Sequence, residues 1–433
     1  MQKILLFIAS LFYFNSLFAK DEIKSWQGIH ETPLSRLEQQ FADPPVEFAN
    51  HVIWGWEGKM DKKTICNDLD SIKKKGFRAV IFEAGYKLPF KYLSEEWFKA
   101  IRTGVVEAKK RDMKVWIIDE GKYPSGFAGG KFSQERPDLR MQALVIGDTI
   151  QIKRGEVMTN HKIAPEIISA VAVSTSGAPN RTVAINNGEI SFNAGLDDWK
   201  ILLVKSDFRT AVTRAVNNPN GGKDATNSLC DYLNPVAVQQ FIDWTHEQYK
   251  KYLGKELGTT VLGFRGDEPD YAHLPWTPSI VQTFKDTKGY DPTPYLASFF
   301  TTSPTIQEQR VKADYWDVWS SLFATHFFKL QADWCAANGV AHITHLNKEH
   351  EMPACVKAEG DYFRNLSKVQ IPGVDAIWNQ IWPGTLNDFP KLASSVAHVY
   401  GKPRAFSESF AAYHISPTIP QAKFVVDHQI ARG

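Results

Sequence analysis

An α/β fold of the (β/α)8 TIM-like barrel type, incomplete at its last strand and carrying an inserted antiparallel β domain, is what this chain predicts. Three observations predict it. Short continuous apolar runs alternate with stretches of helical spacing, the pattern of parallel strands covered on both faces by their crossover helices. Carboxylates recur at the ends of those runs, at Glu83, Asp119 and Glu120, Asp267 and Glu268, Asp375 and Glu408, and in such a barrel the strand ends converge on one face. Between about residues 140 and 206 the rhythm changes to short alternating runs separated by Gly, Asn and Pro, which reads as antiparallel strands.

Taken in order, Lys3, the apolar stretch 4–18 and Ala19 read as a secretory signal peptide cut after Ala19, so the protein is expected to be secreted or periplasmic. Residues 20–50 form a polar arm. The barrel is expected from 51–139 and 228–433, with 140–227 as the insert. Its first strand is 52–56, followed by a helix capped by Asp61 and closed by Lys73 to Lys75 and Gly76, as helix ends prefer. Strands at 78–83 and 114–118 flank a helix over 94–111. The loop Asn217 to Gly222 returns the chain to the barrel, where Asn234 caps and Pro235 opens a helix. Further strands are expected at 260–265, 341–346, 374–378 and 404–408. The helical region 307–338 carries Trp316, Trp319, Phe323 and Phe327 on one side, a stripe that reads as core.

That count is seven strands. An eighth position left empty would leave backbone groups of the first and last strands unpaired. The arm, a neighbouring chain or a further part of a longer protein could fill it; the last is the reading adopted.

Composition excludes some functions. Fifty basic against 48 acidic side chains, a net charge of +2, give no field to attract nucleic acid or an anionic membrane. Beyond the signal, no segment is long enough to span a bilayer, and nothing sets the oligomeric state. Thirteen Trp and 12% aromatic residues suit sugar stacking. Cys66, Cys230, Cys335 and Cys355 have no close metal-ligand spacing, so structural zinc is not expected and no metal ligands are assigned; one or two disulfides are open to an exported chain.

The chemistry centres on Gly266-Asp267-Glu268-Pro269 at the end of the fourth strand. Pro269 keeps Glu268 out of a helix and lets its carboxylate point out of the strand end. With Glu408 at the seventh strand it forms the pair of acids that glycoside hydrolysis needs, one protonating the leaving oxygen and the other activating water. The competing reading is that each acid merely pairs with a buried arginine such as Arg265 or Arg404. His342 and His345 are three apart and so face opposite sides of a strand, at most one into the pocket. The loop Gly126 to Gly130 reads as a turn that brings backbone close to a sugar.

Asp119-Glu120-Gly121, Tyr123-Pro124-Ser125-Gly126 with Gly129-Gly130, Asp231-Tyr232-Leu233-Asn234-Pro235, Gly266-Asp267-Glu268-Pro269 and Ser407-Glu408-Ser409 together resemble the α-L-rhamnosidases of glycoside hydrolase family 106. The resemblance implies an exported, inverting enzyme with a (β/α)8 catalytic domain, Glu268 as general acid and Glu408 as general base. It further implies an oligo- or polysaccharide substrate and a bound calcium, with Asp119, Glu120 and Asp375 as sugar or calcium contacts; Asp267, His345 and Trp378 are further expected substrate contacts. Members with this activity carry β-sandwich domains after the barrel, so the chain reads as truncated after its catalytic region. The alternative is a carbohydrate-binding barrel whose acids hold sugar hydroxyls without turnover.

Overall fold

The computed structural model describes residues 33–46, 50–121, 123–210, 228–271, 274–384, 387–413 and 417–433. The signal segment, most of the arm and the loop Asn217 to Gly222 lie outside them.

The parallel strands β1 (His51–Trp56), β2 (Ala79–Ala84) and β3 (Lys114–Ile118) come first. The chain then leaves for β4 (Gln142–Ile152), β5 (Val157–Lys162), β6 (Ile167–Ser174), β7 (Arg181–Thr182), β8 (Ile185–Asn186), β9 (Glu189–Asn193) and β10 (Trp199–Phe208). It returns through β11 (Val261–Gly266), a short β12 (Pro275–Trp276), β13 (Ala341–Thr344), β14 (Ile371–Ala376) and β15 (Phe406–Ser409). The order β1-β2-β3-β11-β13-β14-β15 makes one seven-stranded parallel sheet, curled into a half-barrel. β4, β6, β7, β10 and β12 form a separate antiparallel sheet, so one strand from beyond the insert, β12, completes it; β5, β9 and β8 form a third.

The seven expected strands are thus present, and no pairing joins β1 to β15 among the described residues. Burial follows position. β11, β13 and β14 are buried along their whole length, whereas β1 alternates between exposed and half-buried residues up to its buried Trp56 and β15 is half-buried throughout, in keeping with edges of an open sheet. The described part of the arm is a helix, Leu34–Ala42, with no buried residue. It does not supply an eighth strand.

The two faces of the sheet separate by the two-residue period. Val80, Phe82, Val115, Ile117, Val261 and Phe264 pack outward against Trp97, Phe98 and Ile101 of the helix Glu95–Lys110, whose N-cap Ser94 accepts from the Trp97 amide at 3.3 Å. Ile81, Trp116, Ile118, Leu262, Ile343 and Ile371 fill the inside of the curl. Asp61 and Asn234 cap their helices as expected, accepting amides at 2.9 and 3.0 Å, and Trp319, Phe323 and Phe327 are core.

Two details differ from the sequence reading. β14 begins at Ile371 rather than 374 and stops short of Trp378; Pro372, which removes a ladder donor and argues against a strand interior, obscured its start. Gly373 is needed there because a Cβ would stand 2.1 Å from the Phe406 ring. The four cysteines are all free, with Cys230, Cys335 and Cys355 buried on separate elements, so no disulfide forms.

Candidate active site

Along β11 the alternation that sends Phe264 outward turns Arg265 inward, where it is 1% exposed. Its Nη2 meets Glu408 from β15 and lies 3.4 Å from Asp267. Burial opposes this buried charge, but Glu408, Asp267, Glu83 and Asp375 more than offset it and hold the guanidinium charged. The expectation of a buried arginine partner for Glu408 is therefore met by Arg265, and the acid remains half-buried rather than sealed off.

His345 follows β13 and points to the same side, while His342 faces the opposite, outer side. The His345 Nε2 atom is 3.2 Å from Glu408 and 3.1 Å from Asp267, and Nδ1 donates to the Leu346 carbonyl at 3.0 Å. Arg265 Nη2 also approaches Nε2, at 2.8 Å. A neutral ring would accept from Arg265 and turn a lone pair to both carboxylates. With two carboxylates against one guanidinium, the charged ring is favoured: burial works against it, but the bonds to Asp267 and Glu408 raise its pKa.

Glu268 sits on a left-handed turn, φ 40°, a conformation costly for a side chain with a Cβ and typical of functional strand ends. Its carboxyl shares a hydrogen bond with Asp375. Burial first, then the neighbouring Asp267, raises the Glu268 pKa. Burial pushes Asp375 up to about 9. Glu408 goes the other way: burial would raise it, but Arg265 and His345 outweigh that and hold it below the usual carboxylate range. Donor atoms of Glu268, His345 and Asp375 lie within 4.8 Å of one another, as do those of Asp267, His345 and Glu408. One imidazole thus bridges a proton-holding acid pair and an ionised acid.

Ser125 ties two strand ends together. It donates to Asp119 Oδ1 at 2.6 Å, accepts the Asp267 amide at 2.7 Å and gives its own amide to the Asp267 carbonyl at 2.8 Å. Tyr232 donates to the Ser125 carbonyl, and Gly126, at φ 98°, leaves room for that ring, which a Cβ would meet at 2.6 Å. Asp231, pushed up to about 7 by burial, accepts from Leu233, Tyr271 and Thr277. The Asp-Tyr-Leu-Asn-Pro stretch therefore props the loop.

Glu120 needs a correction. It is 1% exposed, and its carboxylate takes the amides of Gly121 at 2.7 Å, Gly129 at 3.1 Å and Ala128. The Ala128 and Gly129 amides of the Gly126 to Gly130 loop serve this buried acid rather than a sugar, because a carboxylate without water must find donors. Asp119 is also fully buried, held well above the usual range by burial. Both acids lie beneath the site. Trp378, in contrast, is 65% exposed beyond β14.

Sequence reasoning missed Glu349, which is 2% exposed, accepts the Leu346 amide at 2.9 Å and stands 3.8 Å from His345 Nδ1. Burial pushes it up to about 8. It lies in a loop four residues past His345, so no strand-end signal marked it.

A family model described as alpha-L-rhamnosidase, glycoside hydrolase family 106, matches residues 162–433. A curated protein of Formosa agariphila named "Putative beta-glucuronidase" is 23% identical over 87% of this chain and 35% of its own length. The structure of a rhamnosidase from Novosphingobium sp. PP1Y superposes with a TM-score of 0.69 at 15% identity, over 93% of this chain and 56% of that one; this likeness is one of fold. The chain spans about a third of the length of the curated relative it matches.

Proposed function

Because the chain belongs to glycoside hydrolase family 106, we propose that it is an α-L-rhamnosidase-like enzyme that removes a terminal sugar from an oligo- or polysaccharide with inversion. The observation that carries this reading is the opposed environment of Glu268 and Glu408 around His345: environments that push two carboxyl groups apart in pKa separate an acid from a base. Glu268 would pass the proton it shares with Asp375 to the glycosidic oxygen as the bond to the anomeric carbon breaks. Glu408, kept ionised by Arg265 and His345, would take a proton from the water that attacks that carbon.

A neutral deoxy sugar suits the pocket better than a uronic acid. The inward cations Arg265 and His345 are already engaged by carboxylates, so a sugar carboxylate would meet like charge. Trp378 would offer its exposed ring to the C–H face of the sugar. Export belongs to the same proposal, resting on Lys3, the apolar stretch 4–18 and Ala19.

A panel of aryl glycosides tests the reading. The expected result is release from the α-L-rhamnoside, with proton NMR showing the β-anomer of the free sugar first; the α-anomer first would mean retention. Sugar bound in calorimetry with no release from any glycoside would establish the non-catalytic binding barrel instead.

Calcium is part of the proposal. The residues fit it: Asp375 Oδ1 is buried without a hydrogen-bond partner among the described residues, and Glu268 and Glu349 stand close enough to repel it electrostatically. Asp375, leaving the shared proton on Glu268, and Glu349 would hold the ion through their carboxylate oxygens, whereas Asp267 and Glu408 are already neutralised. Once bound, the ion would orient the sugar hydroxyls. Treating active enzyme with a calcium-selective chelator is expected to lower activity, restored by added calcium. Unchanged activity would remove calcium from the account.

A further inference from the structure

On the outer side of β13, away from the active site, three side chains with metal-binding atoms converge. They are His246, first residue of the helix His246–Leu253, Cys335 of the helix Lys329–Ala337, and His342 of β13. One donor atom from each lies within 4.8 Å of the other two. His246 and Cys335 are 0% and His342 1% exposed.

The hydrogen bonds leave these atoms unserved. Thr245 Oγ1 gives its proton to the Phe241 carbonyl at 2.7 Å, so toward His246 Nδ1, 2.9 Å away, it can only accept. Nδ1 therefore carries the ring proton and Nε2 the bare lone pair, the tautomer that an outer partner sets on metal-binding histidines. Among the described residues that Nε2 has no hydrogen-bond partner, and neither ring nitrogen of His342 has one. Buried polar atoms seldom go unpaired. The surroundings offer no remedy: the His246 ring lies 4.2 Å from Phe264 and 5.2 Å from Trp334, centroid to centroid.

We propose that His246, Cys335 and His342 form a buried site for one thiophilic d10 metal ion, zinc or cuprous copper, that staples two helices to the outer face of β13. Two imidazoles and a thiolate are the ligand set such ions prefer. Donors arranged tetrahedrally around zinc at about 2.0–2.3 Å stand roughly 3.3–3.7 Å from one another, which the cluster can reach. Burial keeps both imidazoles neutral, as ligands must be. Binding exchanges the thiol proton for a metal–sulfur bond and releases that proton to solvent, with no change of oxidation state. A cuprous ion with one thiolate leaves no net charge in the apolar pocket, and zinc leaves one positive charge. The staple would steady the strand whose inward continuation carries His345.

The test uses the full chain, stripped with a strong chelator under reducing conditions and titrated separately with zinc, with cuprous ion and with cobalt as a spectroscopic stand-in. About one equivalent per chain, a thiolate-to-cobalt charge-transfer band and a raised Tm are the expected results; the tighter of zinc and cuprous ion identifies the metal. Cys335→Ala should abolish the band and the rise in Tm, while Cys66→Ala, which alters a thiol outside the cluster, should leave both. Binding well below one equivalent with no band in the unaltered chain would overturn the proposal, whether or not the Cys335 variant folds. So would a Cys335→Ala chain that still takes up the metal.

Discussion

Glu268→Gln is expected to slow hydrolysis of substrates with poor leaving groups by about 10²–10⁴-fold and to affect activated aryl glycosides far less. The glutamine keeps the size of the side chain and its place on the φ 40° turn but cannot deliver a proton. A sugar-alcohol leaving group needs that proton at bond cleavage; a nitrophenolate hardly does. The measurement is kcat/KM for both substrate types on both proteins. Because Glu268 shares its proton with Asp375, Asp375→Asn should reproduce part of the loss and shift the basic limb of the pH profile, since the acid pair titrates as one unit. Equal loss on both substrate types would argue against the acid role and for simple collapse of the pocket.

The second large effect is expected at Arg265. Arg265→Met removes the cation that, with His345, holds Glu408 below the usual carboxylate range. The sign follows from the direction of that shift. A group whose folded pKa is depressed contributes stability that is present above its unfolded pKa and is lost as pH falls through its folded pKa. The variant should therefore lose stability most at neutral pH and differ least in acid. Leaving Glu408 and Asp267 without their buried partner is expected to cost about 3–5 kcal/mol, read as a lower midpoint in urea at pH 7. The acidic limb of kcat/KM should also move to higher pH, because Glu408 then ionises later. A variant as stable as the parent at pH 7, with the acidic limb unmoved, would show that Arg265 does not govern the base.

Period and punctuation carried much of this molecule into its sequence. The seven apolar runs are the seven parallel strands, the caps Asp61, Ser94 and Asn234 stand where their side chains can take up unpaired amides, and the odd spacing of His342 and His345 sends them to opposite faces. Local chemistry is enough for such features, since each rests on neighbours within a turn or a strand. The acids at strand ends were legible for the same reason, because a barrel brings its strand ends together.

What one-dimensional pattern could not decide was which of those acids face a ligand. Asp119, Glu120, Asp267 and Glu268 share the same signature in the chain, yet Glu120 is wrapped in the amides of its own loop and Asp119 is bound to Ser125, while Glu268 stands on a turn beside Asp375. That sorting depends on the contacts that Arg265 makes across 80 residues to His345 and 143 to Glu408, and on burial, which no local window contains. The sequence by itself determined the strands, their order of appearance and the side of each strand on which a residue falls, because side-chain alternation is a property of the backbone. Only the tertiary structure decided the charge state of each acid, because a carboxyl group's proton is governed by the distance to Arg265 and His345 and by the loss of water around it.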